Sequence, residues 1–230
     1  MRAAALIALT LLTSPAGAGC RLALALGFDV SRSVDQADYE IQRGGIIAAL
    51  HDPGIRALLL EPADRVALAI YEWGGRDFQE LVLDWTVIGT EADIDRVAGL
   101  LAVHVHSPAY QATAIGQALQ FGHGLMAVAP ACSRRTLDVS GDGRSNDGKP
   151  PATVYAESDF TGITVNGLAI GGHETDIRLY YLAEVIRGPG AFAMGAVRHT
   201  EFPEVFRRKL LRELTEALMG GLPVSAVPAG

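Results

Sequence analysis

Hydrophobic and polar positions divide the chain into short apolar runs separated by segments of helical spacing. Leu22 to Phe28 runs without a charge and ends at Asp29, with Ser31 and Ser33 on alternate positions beyond it. A run that is apolar at every position fits a strand buried on both faces, as in a parallel sheet covered by helices. Asp35 to Leu50 spaces Ile41, Ile46, Ile47 and Leu50 in a partly helical pattern, and His51-Asp52-Pro53-Gly54 predicts its end. Val66 to Tyr71 is a second buried strand. Phe78 to Trp85 alternates after a short glycine turn, which predicts an antiparallel edge strand hairpinned to the second. Thr90 to Val103 reads as a helix, with Thr90 as N-cap and Asp93 in the capping-box place. Beyond it the pattern predicts a helix over 114–128, strands over 134–140, 163–170 and 191–197, helices over 152–159 and 176–186, and an amphipathic last helix over 201–219. The fold class is α/β: a doubly wound, mostly parallel six-stranded sheet with one antiparallel edge strand and helices on both faces. Asp138 breaks the pattern, a carboxylate inside an apolar strand, and the sequence offers no account of it.

Composition narrows the class. The 230 residues suffice for one such domain, with no internal repeat and no second domain in the pattern. Hydrophobic residues make up 49% and charged residues 20%, the balance of a globular chain rather than a disordered one. A formal charge of −7 without any basic cluster argues against nucleic acid as a partner. Met1-Arg2, the apolar stretch Ala3 to Leu12 and the small-residue site Ala16-Gly17-Ala18 read as a secretory signal peptide over 1–18, too short in its apolar part to anchor in a membrane. No later segment is long and apolar enough to span a bilayer. The expectation is a periplasmic or secreted protein with its domain over 19–220 and a flexible Gly/Pro-rich tail over 221–230.

Export also bears on the two cysteines, Cys20 and Cys132, because it favours pairing. If Asp29 and Asp142 stand at the carboxyl ends of neighbouring parallel strands, both cysteines fall at the opposite ends, at a similar height. A disulfide there would staple the sheet far from any ligand. The rival is a lipidated Cys20 after Gly17-Ala18-Gly19, although Gly17 stands where a large aliphatic residue is usual.

The candidate chemistry lies at the carboxyl ends of the strands, where open α/β sheets place their ligand sites. Asp29, Ser31 and Ser33 occupy the loop after the first strand, and alternate residues of an extended loop share a side. Aspartate with hydroxyls is a hard-oxygen set suited to Mg²⁺, with Mn²⁺ or Ca²⁺ as alternatives, rather than to zinc or copper. The same three residues also suit a helix cap. Thr113 starts the 114–128 helix, as its N-cap or as a further hydroxyl ligand. Asp142 lies between two glycines after the fourth strand, where a tight turn lets a carboxylate approach a ligand closely. Asn146 and Trp73 are candidates for the site rim, although a partly buried core position is the favoured reading of Trp73. His104 and His106 alternate in a loop without a third soft ligand nearby and read as loop residues.

Taken together, Asp29-Val-Ser31-Arg-Ser33 after a first strand, Thr113 before a middle helix and Asp142 after a fourth strand resemble the von Willebrand factor A-like family and its metal-ion-dependent adhesion site. The resemblance covers essentially the whole chain after the leader. It is most like an exported bacterial branch known only as a domain of unknown function. It implies a divalent cation held by Asp29, Ser31, Ser33, Thr113 and Asp142, with an open position that an Asp or Glu of a partner protein completes. Gly141 departs from the family, which more often has Thr there. Two other classes remain open. A haloacid-dehalogenase-like phosphatase shares the strand-terminal Asp and a later Gly-Asp-Gly, but Ser31 stands where its general acid belongs. A structural domain could use the ion only to hold its loops. A serine hydrolase lacks the Gly-x-Ser-x-Gly elbow, and a nucleotide-binding Rossmann enzyme lacks the glycine-rich turn.

Overall fold

The computed structural model describes residues 19–62, 64–105, 112–171 and 176–219. The expected leader, His106 and the expected tail lie outside the described residues.

Six strands form one sheet: β1 (Gly19–Asp29), β2 (Asp64–Trp73), β3 (Gln79–Ile88), β4 (Arg134–Gly141), β5 (Ile163–Ile170) and β6 (Ala193–Ala196). Their order is β3-β2-β1-β4-β5-β6. All neighbours are parallel except β3, which runs antiparallel to β2 at the edge. One face carries α1 (Gln36–Leu50), α2 (Pro53–Leu59), α3 (Glu91–Val103) and α7 (Phe202–Met219). The other carries α4 (Ile115–Ala127), α5 (Pro151–Glu157) and α6 (Ile177–Tyr180), the last running on into a single π-helical turn, Tyr181–Val185. The period-two pleat explains why both faces are apolar. Leu22, Leu24, Leu26 and Phe28 of β1 meet Ile46, Phe206 and Leu210, whereas Ala25 belongs to the opposite core with Leu119, Leu137 and Val139.

Three local expectations are corrected. Asp52-Pro53 starts a helix instead of only ending one. The Asp52 carboxylate accepts from Gly54 N at 2.8 Å and Ile55 N at 3.1 Å, and Pro53 occupies the first turn, where its missing N–H costs nothing. The segment after Asp176 holds only one turn of α-helix before widening. β6 is four residues long, shorter than the apolar run that carries it.

The sheet order places the topological switch between β1 and β4, because connections leave these neighbours in opposite directions. In such sheets the crevice beyond the strands' carboxyl ends at that point is the ligand position. Asp29 closes β1 and Asp142 directly follows β4. At the other end Cys20 and Cys132 form a disulfide, and Ser133 N donates to Cys20 O at 2.8 Å beside it.

Asp138 also finds its reason. Its side chain lies on the α7 side of β4, where Lys209 Nζ stands 2.5 Å from Asp138 Oδ2 and 2.7 Å from Glu213 Oε1. Asn166 of β5 donates to the same Glu213 oxygen at 2.7 Å and accepts from Phe192 N at 3.1 Å. Burial raises the Asp138 carboxyl above its ordinary range, and Lys209 offsets only part of that. Burial alone would lower the Lys209 ammonium, but the two carboxylates outweigh it and raise it.

Candidate metal centre

The crevice gathers side chains from three separate segments. Asp29 ends β1, and its Oδ1 accepts from Ser31 N at 2.7 Å, which turns the chain so that Ser31 and Ser33 face the same side. Val34 N closes that turn on Ser31 O at 2.9 Å. Ser31 Oγ lies 3.3 Å from Ser33 Oγ and 3.3 Å from Thr113 Oγ1. Ser33 Oγ donates to Asp142 Oδ1 at 2.6 Å. Asp29, Ser31, Thr113 and Asp142 are all at most 5% exposed, while Ser33 is half-buried and faces the opening.

Thr113 is held by its backbone. Its N–H donates to Asn146 Oδ1 at 2.9 Å, and its carbonyl accepts from Asn146 N at 2.9 Å and Asp147 N at 3.1 Å. Ala114, not Thr113, is the N-cap residue of α4, and it supplies no side-chain cap. The Thr113 hydroxyl therefore points to the serines rather than to the helix. Asn146 is exposed, at the mouth, and acts as the clamp on Thr113. Arg76, in the turn between β2 and β3, braces the same loop: its backbone N donates to Asp147 Oδ2 at 2.9 Å and its Nε to Asp147 Oδ1 at 2.7 Å. These bonds hold the Asp147 carboxyl down at about 2.

Trp73, a rim candidate with a core position as its favoured reading, is wholly buried. It lies under the site because Gly141 leaves room: a Cβ on Gly141 would stand 3.0 Å from Trp73 Cζ2, 2.7 Å from the Tyr181 hydroxyl and 2.8 Å from Asp29 Oδ2. Where the family more often carries Thr, this chain fills the space with two aromatic rings.

The electrostatics follow from burial and from two carboxylates brought close together. Asp29 Oδ2 is buried and accepts no hydrogen bond. Burial, and then the negative charge of Asp142, push the Asp29 carboxyl up to about 7, against the pull of hydrogen bonds from Ser31 and from the Asp142 backbone. The 3.3 Å hydroxyl spacings exceed the ~2.8 Å of a good O–H···O bond. They are close to the ~3 Å between adjacent corners of an octahedron whose oxygens lie about 2.1 Å from a small divalent ion. Residue types, spacing and unsatisfied charge thus fit a hard cation. Among the described residues no three His, Cys, Asp or Glu side chains group so as to hold a metal ion.

Two neighbours escaped the sequence reading. Tyr181 comes from the π-helical turn, and its ring passes so close to Gly167 that a Cβ there would be 2.6 Å from Tyr181 Cδ1. A glycine inside an apolar strand was the available signal, since it marks a close approach. His199 precedes α7 in the one-turn 3₁₀ helix His199–Glu201. Its Nε2 lies 3.8 Å from Asp142 Oδ2 and its Nδ1 3.4 Å from Asp38 Oδ1. Its signal was position alone: it follows the last strand, at the same end of the sheet as Asp29 and Asp142. His104, read as a loop residue, ends α3 with its Nε2 3.3 Å from Glu72 Oε2, away from the hydroxyl cluster.

Strand order, a single antiparallel edge and helices on both faces give the chain the fold of von Willebrand factor A domains. The chain belongs to the family described as Protein of unknown function (DUF1194), whose family model matches residues 19–218. Among solved structures it is similar to proximal thread matrix protein 1 from the mussel byssus, in a form with a zinc-occupied MIDAS motif, at TM-score 0.63 and 16% identity over 86% of this chain and 46% of that one. A von Willebrand factor type A protein from Catenulispora acidiphila gives TM-score 0.60 and 15% identity, over 85% of this chain and 43% of the other. The pilus adhesin SpaC of Lactobacillus rhamnosus GG gives 0.59 and 13%, over 87% and 30%. This chain thus spans less than half the length of each of these proteins. No curated protein matches it. No helix among the described residues is long and apolar enough to cross a membrane.

Proposed function

We propose that this protein is an exported binding module. It holds one divalent cation among Asp29, Ser31, Ser33, Thr113 and Asp142 and engages an acidic group of a protein partner through it. The observation that carries this reading is the meeting of three hydroxyls and two carboxylates from three chain segments at the sheet's switch point, with Asp29 Oδ2 left unsatisfied. With only two carboxylates and otherwise neutral donors, a bound ion keeps net positive charge and attracts a further carboxylate. Ser33 and the loop around Arg32 face the opening, where such a group would approach. Asp29 and Asp142 supply the charge, the three hydroxyls the geometry, and Asn146 with Arg76 keeps Thr113 in place. The five residues are oxygen donors, the chemistry of Mg²⁺, Mn²⁺ or Ca²⁺. The zinc-occupied motif of the mussel protein supports a cation site in this fold. The adhesin among the similar structures supports a binding rather than a catalytic use.

The test is a pull-down from an envelope fraction, run with Mg²⁺ or Mn²⁺, with chelator, and with Thr113→Ala. A partner captured only with metal and intact Thr113 bears the reading out. The same partner in every lane moves the contact away from this site and leaves any ion a structural part.

A further inference from the structure

Tyr181 reaches the floor of the crevice by an unusual route. It opens the π-helical turn Tyr181–Val185, and single turns of this kind occur frequently at functional sites. Two glycines clear its path. A Cβ on Gly167 would stand 2.6 Å from Tyr181 Cδ1, and one on Gly141 would stand 2.7 Å from the Tyr181 hydroxyl. The ring is fully buried, and a buried phenol usually finds a partner for its hydroxyl. Among the described residues the Tyr181 hydroxyl has none. Asp29 Oδ2 is the complementary case, a buried carboxylate oxygen that accepts nothing. It lies 2.8 Å from the same point beside Gly141, so a donor without an acceptor and an acceptor without a donor border one small space. Burial, and then the charge of Asp29, raise the Tyr181 phenol well above its ordinary 10, so the hydroxyl keeps its proton and remains a donor.

We infer that Tyr181 is a positioning residue of the proposed cation site: its hydroxyl donates to Asp29 Oδ2 as the site fills, and so fixes how Asp29 faces the ion. This rests on the cation reading above and adds to it what orients the first ligand. Asp29 Oδ1 already accepts from Ser31 N at 2.7 Å. A carboxylate oxygen carries two lone pairs, so Oδ2 can accept from Tyr181 and still serve as a ligand. With Ser31 holding one oxygen and Tyr181 the other, Asp29 offers the ion one oxygen rather than both. That suits the strict octahedral shell of Mg²⁺, whereas Ca²⁺ takes up to eight donors and accepts carboxylates through both oxygens. The Tyr181 hydroxyl therefore favours the smaller ion. Hydrogen bonds to metal-ligating carboxylates act in this way generally, and losing one typically costs about 10- to 100-fold in metal affinity.

The experiment titrates the metal-stripped protein with Mg²⁺ and Ca²⁺ by calorimetry, with Tyr181→Phe, Tyr155→Phe and Thr113→Ala in parallel. Tyr181→Phe removes one oxygen and keeps the ring. Tyr155 is the control for loss of a tyrosine hydroxyl elsewhere in the same core, since it donates to Val185 O. Thermal unfolding of each metal-free variant establishes that it is folded. Tyr181→Phe should lose about tenfold or more in Mg²⁺ affinity with Ca²⁺ affinity within about threefold, while Tyr155→Phe keeps the parent's preference between the two ions. Proton NMR of the tyrosine-labelled parent supplies a readout that needs no variant: added Mg²⁺ should bring out a slowly exchanging tyrosine hydroxyl proton, which Tyr181→Phe lacks. An unchanged preference for Mg²⁺ over Ca²⁺ in folded Tyr181→Phe overturns the inference, whatever happens to absolute affinity. If that variant does not fold, the lack of a new hydroxyl resonance in the Mg²⁺-loaded parent overturns it. If Thr113→Ala weakens binding of both ions while Tyr181→Phe changes neither, the cation site stands and the role of Tyr181 falls. A parent that binds neither ion defeats both.

Discussion

Asp29 carries most of the physics of the site. It is fully buried, and burial with the nearby Asp142 raises its carboxyl from 3.8 to about 7. A folded-state value above the unfolded one means that the folded protein prefers the protonated acid. Asp29 therefore contributes stability fully below its unfolded value, and that contribution is lost as pH rises through about 7. The metal-free protein should melt at a lower temperature at about pH 8 than at about pH 5, and a divalent cation should restore more of the loss at the higher pH. Asp29→Asn should reduce this slope, leaving the part due to Asp138, whose buried carboxyl is raised as well, and should abolish the response to cation, as thermal unfolding across pH with and without metal would show. A slope undiminished by the substitution would assign it wholly to other groups, Asp138 first. Gly141 belongs to the same account. Its missing side chain is what admits Trp73 and Tyr181 beneath the carboxylate, and both rings deepen the burial that raises it.

Among the elements, α7 shows best what sequence patterning reaches and where it stops. Its apolar stripe, Phe202, Val205, Phe206, Leu210 and Leu214, was legible as a helix face and does pack on the sheet. The same holds for β1, whose unbroken apolar run gave a strand covered on both faces, and for the Thr90–Asp93 capping box. Patterns of this kind are local, so they survive without knowledge of the fold. The Asp138–Lys209–Glu213 cluster is not local. Lys209 lies off the apolar stripe of α7 and Asp138 interrupts an apolar strand, and only packing joins them. His199 and Tyr181 were missed for the same reason, whereas Asp29, Ser31 and Ser33 announced themselves by lying within one loop. Asp52-Pro53 misled by a different route, since a helix breaker is also a good helix opener. The cluster makes its own prediction. Lys209→Met leaves two carboxylates buried without a counter-ion, which should cost about 3–5 kcal/mol. Adding Asp138→Asn should recover part of that, because it removes one of the uncompensated charges. Urea denaturation of the three proteins measures both steps, and a loss below about 1 kcal/mol in the single variant would contradict the burial argument.

At the scale of the whole molecule, the sheet separates stability from binding. The strands of β1 and β4 run parallel from the Cys20–Cys132 bridge at one end to Asp29 and Asp142 at the other. The bridge spans 112 residues of sequence, a loop that takes in β2, β3, α1 to α4 and the Thr113 segment. Cross-linking so long a loop limits the unfolded chain strongly, and removing a native bridge of this kind typically costs about 2–5 kcal/mol. The proposed cation site is fixed by contacts of its own: the Ser31 turn, the Asn146 clamp on Thr113 and the Arg76–Asp147 brace. None of these involves the cysteine end, and effects at distant, independent sites add without coupling. The double variant Cys20→Ser/Cys132→Ser should therefore unfold at a lower denaturant concentration by that margin, yet bind cation within about twofold of the parent under conditions where both are folded. Calorimetric titration and denaturation on the same two samples read the two quantities independently. A large fall in cation affinity without the bridge would mean that strain at one end of β1 and β4 reaches the other, and that the sheet transmits rather than insulates.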